Sequence, residues 1–101
     1  MSSHITIQDL SVLLVEPSDV QNKLIIRALN EAGIHKIENS PNVKQTLSIL
    51  EDYTPDLIVS SMYLEDGTAD ELLQLIRHSP DHENQAFMLF LVNRIKPTLK
   101  D

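Results

Sequence analysis

The chain predicts a single α/β domain with a doubly wound parallel sheet, and three observations lead there. Val12-Leu13-Leu14-Val15 and Leu57-Ile58-Val59 are apolar runs too short for helices and without the alternation of a half-wet strand, so they read as strands buried on both faces. Between the runs lie segments with helical spacing of apolar residues and recognisable caps. The connections are short, and strands joined through helices in this way cross over right-handedly into a parallel sheet covered on both sides.

The elements follow in order. After the first strand, Val12 to Val15, Ser18 is placed to cap a helix whose Val20, Leu24, Ala28, Leu29 and Ala32 share a face, and Gly33 supplies a left-handed terminus. Ile34 to Ile37 is the expected second strand. Ser40-Pro41 then offers an N-cap and first-turn proline for a second helix with Val43, Leu47 and Leu50 on one side, ending near Tyr53. Pro55 opens the third strand, Leu57 to Val59. Asp66 or Thr68 starts a third helix with Leu72, Leu73 and Ile76 inward, and Phe87 to Val92 is the fourth strand.

Size and composition narrow the functional classes. A chain of 101 residues is one small domain, with a core but no room for separate catalytic and substrate domains. Residues 11–93 are expected to form it, with 1–10 an N-terminal extension and 94–101 a polar tail. No apolar run reaches the roughly 20 residues that span a bilayer, and Met1-Ser2-Ser3-His4 does not open a signal peptide, so a cytoplasmic location without membrane attachment is expected. The absence of cysteine removes disulfides and thiolate chemistry. A net charge of −7 with no basic stripe argues against nucleic-acid binding.

In a sheet of this type the working site lies beyond the carboxyl ends of the strands. That brings Glu16-Pro17-Ser18-Asp19, Ser60-Ser61-Met62-Tyr63 and Asn93-Arg94 to one end of the molecule.

The same residues resemble the receiver domain of bacterial response regulators, a CheY-like, flavodoxin-like fold. Leu13-Leu14-Val15-Glu16-Pro17-Ser18 is similar to that family's first strand and acidic pair, and Pro55-Asp56-Leu57-Ile58-Val59-Ser60-Ser61 to the strand leading to its phosphoacceptor. Leu64-Glu65-Asp66-Gly67-Thr68-Ala69-Asp70-Glu71-Leu72-Leu73 is similar to the following loop and helix, and Ser40-Pro41-Asn42-Val43-Lys44-Gln45-Thr46-Leu47 to the start of the second helix. The resemblance runs from about residue 11 to 93. It leaves no room for the family's fourth helix, fifth strand and fifth helix, so the fold is expected without its last elements.

Departures from the family pattern decide what the resemblance implies. In the family an aspartate attacks a phosphoryl donor while an acidic pair holds magnesium, a hard cation that wants charged oxygens. The acceptor position is Ser61 and the acidic pair is Glu16 and Pro17, so two of three carboxylates are lost. The hydroxyl expected at the end of the fourth strand is missing too, with Asn93 the only polar residue there. Tyr63 would line the old pocket. Serine is a weak nucleophile without a base, and none is evident in the sequence. Glu16 reads as a solvated or lightly bonded carboxylate, and Asp66 as a turn or capping residue with a surrogate acceptor as its alternative role. His4, His35, His78 and His82 are scattered and suggest no metal site.

The expectation is a degenerate receiver, without enzymatic activity, cofactor or magnesium, acting in two-component-type signal transduction as a phosphorylation-independent interaction or dimerisation module. Its partner would be an output domain, a histidine kinase or another receiver-like chain, with homodimerisation or strand exchange through the fourth-strand edge. The alternatives are a receiver accepting phosphate on Asp66 or Glu16, and a sensor that binds a nucleotide or other small anion in the altered pocket.

Overall fold

The computed structural model describes residues 6–90. The expectations for His4, Val92, Asn93, Arg94 and the tail 94–101 fall outside them. A short 3₁₀ turn, Ile7–Asp9, leads into β1 (Ser11–Val15), α1 (Asp19–Glu31), β2 (Lys36–Ser40), α2 (Val43–Leu50) and β3 (Leu57–Ser61). A small antiparallel hairpin of β4 (Tyr63–Leu64) and β5 (Gly67–Thr68) precedes α3 (Ala69–Arg77) and β6 (Phe87–Phe90). The main sheet has the order β2-β1-β3-β6 and every pair in it is parallel, which is the doubly wound arrangement.

The continuous apolar runs place β1 and β3 at the centre of the sheet, buried on both faces. Alternate residues feed two separate cores. Leu13, Val15 and Ile58 pack with Val43 and Leu50 of α2 and Leu72 and Ile76 of α3. Val12, Leu14 and Val59 pack with Ile25 of α1, and Leu10, just before β1, joins that side. Thus α1 covers one face and α2 and α3 the other.

Three sequence expectations are corrected. The inward stripe of α1 is Asn22, Ile25, Ile26 and Leu29, whereas Val20, Leu24, Ala28 and Ala32 are exposed, Val20 at 68% and Leu24 at 54%. The helix carries two apolar stripes, and the sheet selects the one whose Asn22 can bond to β1 and β2. The second strand is Lys36–Ser40 rather than Ile34 to Ile37, because the Ile34 N–H turns back to the Leu29 carbonyl at 2.9 Å and Gly33 ends the helix with a φ of 95°. The cap of α2 is Asn42, not Ser40. Ser40 is the buried last residue of β2, and the Asn42 side chain accepts from the Gln45 N–H at 2.8 Å.

Thr68, one of the two expected starts, caps α3 through a full capping box. Its hydroxyl accepts from the Glu71 N–H at 3.2 Å, and the Glu71 carboxylate accepts from the Thr68 N–H at 3.0 Å. The α3 to β6 connection is tied down from beneath the sheet. Arg77 donates to the Gln85 carbonyl at 2.7 Å, and the Gln85 amide donates to the Pro55 carbonyl at 2.9 Å. His82 Nε2 lies 2.9 Å from the Leu50 carbonyl.

Candidate functional site

The register of β1 against β3 pairs Val15 with Ser60, so the next residues, Glu16 and Ser61, leave the carboxyl ends of the central strands side by side. Both are buried, Glu16 at 5% and Ser61 at 9% exposure. The Ser61 hydroxyl donates to Glu16 Oε1 at 2.7 Å. The other carboxylate oxygen, Oε2, accepts the Ser18 N–H at 2.9 Å, just where α1 begins.

The backbone of Glu16 is held as firmly as its side chain. Its N–H donates to the Ser40 carbonyl at 2.9 Å, which continues the β1 to β2 ladder, and its carbonyl accepts from Asn22 Nδ2 at 2.9 Å. Asn39 Nδ2 donates both to Asn22 Oδ1 at 2.7 Å and to the Leu14 carbonyl at 2.9 Å. A buried carboxylate is costly unless hydrogen-bonded, and this arrangement supplies the bonds. Of the two readings of Glu16, solvated or lightly bonded, the structure shows the bonded one, in a buried position, and it sets beside Ser61 a carboxylate that no local sequence signal marks. Asn22 and Asn39 were missed. The signal available for Asn22 was its position three residues before Ile25 on the inward stripe, which a reading built on apolar residues passes over.

Other candidate residues lie elsewhere. Asp66, between β4 and β5, does not start α3 but closes the N-terminus of α2, accepting from the Val43 N–H at 2.7 Å and the Lys44 N–H at 3.0 Å. The Val43 N–H is the main reason its carboxyl lies below the ordinary carboxylate value. Pro17 is half-buried and brings no ligating side chain. Tyr63 sits in β4 with its side chain 73% exposed, and its backbone pairs with Thr68. A Cβ on Gly67, in the same hairpin, would lie 2.6 Å from Glu71 Oε1 and 3.3 Å from Val43 Cγ2, so a side chain there would displace the Glu71 carboxylate from the α3 capping box.

The residues present do not suit a magnesium ion. At the strand ends the described side chains offer one carboxylate, and both of its oxygens already accept hydrogen bonds, whereas magnesium in a protein site needs an octahedral oxygen shell anchored by carboxylates. Among the described residues no group of three His, Cys, Asp or Glu side chains could hold a metal. No described helix is long and apolar enough to cross a membrane. A groove of about 800 Å³, lined by Val43, Asp66, Thr68, Leu75 and His78 among others, runs beside α3, and its lining includes neither Glu16 nor Ser61.

Known structures share this fold. The chemotaxis response regulator CheY4 of Vibrio cholerae superposes with a TM-score of 0.72 at 19% identity, over 79% of this chain and 66% of that one. The signal receiver domain of a signal transduction histidine kinase from Syntrophus aciditrophicus gives 0.75 at 24% identity, over 90% and 64%. The signal receiver domain of an HD domain-containing protein from Pseudomonas fluorescens gives 0.72 at 19%, over 87% and 62%. The chain therefore has the CheY-like receiver fold, and it spans somewhat under two thirds of the length of these structures. No protein-family model matches the sequence, and no curated protein matches it.

Proposed function

We propose that this receiver-fold chain belongs to two-component-type signalling and works without phosphorylation, as a protein-interaction and dimerisation module. The observation that carries the reading is the buried Ser61 to Glu16 hydrogen bond of 2.7 Å at the place where the fold's phosphoryl chemistry would occur. Phosphoryl transfer to a receiver needs a carboxylate nucleophile and a cation to neutralise the developing charge. Here a hydroxyl proton, rather than a cation, satisfies the remaining carboxylate. The Ser18 N–H donates to its other oxygen, so each Glu16 carboxylate oxygen has a hydrogen-bond donor from the chain itself. Asp66 is a poor surrogate acceptor because both of its oxygens are engaged at the start of α2.

What remains is surface. Val20 and Leu24, exposed on the first turns of α1 immediately after Glu16, form an apolar strip on which a partner such as a histidine kinase or an output domain could rest. The deciding experiment is incubation with acetyl phosphate and magnesium followed by intact-mass measurement. The expected mass is unchanged. A hydroxylamine-labile gain of one phosphoryl group overturns the reading.

A further inference from the structure

We infer that the groove beside α3 receives a basic amphipathic helix of a partner protein, with cationic side chains on Asp70 and Glu71 and an apolar side chain on Leu75. This rests on the reading of the domain as an interaction module and names the kind of partner. The outward face of α3 is not uniformly polar. Leu72 and Ile76 fill the core beneath the helix, whereas Leu75 stands 49% exposed. Val43, at the start of α2, lines the same groove, whose volume is about 800 Å³. Sites that hold a ligand have volumes of roughly 300 to 1,000 Å³.

Charge selects the occupant. The described residues lining the groove include the carboxylates of Asp66, Asp70 and Glu71, and no lysine or arginine. Asp66 is engaged at the start of α2. Glu71 gives Oε1 to the Thr68 N–H, which leaves Oε2 for a partner, and the exposed Asp70 carboxylate accepts no hydrogen bond among the described residues. Nucleic acid or any other polyanion is repelled here, and the net charge of −7 draws cationic partners from a distance. A bare metal ion does not fit, since no group of three His, Cys, Asp or Glu side chains among the described residues could hold one. A small hydrated cation would also leave Leu75 uncovered, so the occupant carries apolar and cationic side chains together.

Spacing along α3 sets the form of the occupant. Leu75 follows Glu71 by four residues and Asp70 by five, which places it roughly 6 to 7.5 Å farther along the helix axis at about 1.5 Å per residue. A partner helix matches that separation with side chains at i and i+4, which share one face. The acidic end of the groove is the N-terminal end of α3. A partner helix lying antiparallel to α3 brings its C-terminal turn there, where cations are favoured by the helix dipole. In the partner's sequence the apolar residue therefore precedes the cationic one. The capping box already holds Glu71 in place, so little side-chain order is lost there when the helix docks.

The test uses the full chain and a fluorescent synthetic helix of about 15 residues, in which each leucine is followed four residues later by an arginine. Anisotropy titration should show saturable, micromolar binding that weakens as salt rises. Leu75→Lys and Asp70→Lys, each checked for folding by circular dichroism, should weaken it by about tenfold or more. Glu31→Lys makes the same charge change on α1, across the sheet, and should alter binding by less than about twofold. A peptide with glutamate in place of arginine should not bind, and one with alanine in place of leucine should bind far more weakly. Absence of saturable binding up to millimolar chain overturns the inference. So does binding that survives Leu75→Lys, that Glu31→Lys weakens as much as Asp70→Lys, or that the alanine peptide matches. The phosphodonor experiment is independent of these outcomes. An adduct there overturns the phosphorylation-independent reading and leaves the peptide result standing, whereas a failed titration leaves the reading of Ser61 and Glu16 standing.

Discussion

Ser61 and Glu16 depend on each other, and the dependence is measurable. Ser61→Ala leaves a buried carboxylate one donor short, which costs about 1 to 3 kcal/mol in urea denaturation. Ser61→Asp sets a second carboxylate beside the first. It is expected to destabilise more than the alanine variant in EDTA and to regain part of the loss in millimolar magnesium, a rescue the wild type does not show. Asp56 reports on a different contact. The Ser11 N–H at 2.8 Å and then the Ser11 hydroxyl at 3.0 Å hold its carboxyl below the ordinary value of 3.8. A carboxyl lowered in the folded state stabilises fully above its unfolded value and loses that contribution as pH falls through the folded one. Stability should therefore decline as pH drops below about 4, and Asp56→Asn should flatten part of that decline. Because Asp56 is exposed, its share at neutral pH is under about 1 kcal/mol.

Among the elements, the two helices on one face of the sheet are started by different devices. α3 begins with its own capping box, and Thr68→Ala removes the hydroxyl that accepts from Glu71, at a cost of about 1 kcal/mol in thermal or urea unfolding. α2 begins with Asn42 and with a carboxylate borrowed from the loop after β3, so the Asp66 loop and α2 are mechanically joined. Sequence showed the caps at Ser18 and Thr68, because each lies within three residues of the N–H it accepts from. It did not show Asn22 as a structural polar residue or Asp66 as the acceptor for the Val43 and Lys44 N–H groups of α2. Their partners are decided by packing between segments far apart in the chain.

For the whole molecule, charge opposes compaction more than ion pairs relieve it. The chain carries a net charge of −7, and among the described residues the ion pair between Arg27 and Glu31 spans 4.0 Å with both side chains exposed. Raising salt from low to physiological strength shortens the screening length to about 8 Å and weakens the self-repulsion. The melting temperature is expected to rise by a few degrees over that range in a calorimetric scan.

The sequence by itself determined that the chain alternates strands and helices, that the first strand is buried on both faces, and that a serine stands at the end of the third. Those are local properties: apolar runs too short for a helix, caps beside the turns they close, and one residue type at one place. Only the tertiary structure decided that Ile25, not Val20 or Leu24, faces the sheet, because α1 offers two apolar stripes and the choice depends on where Asn22 can bond. It also decided that Ser61 meets Glu16 across 45 residues of chain. That contact exists because β1 and β3 pair in one register, and a slip of one residue would have turned each side chain to the opposite face.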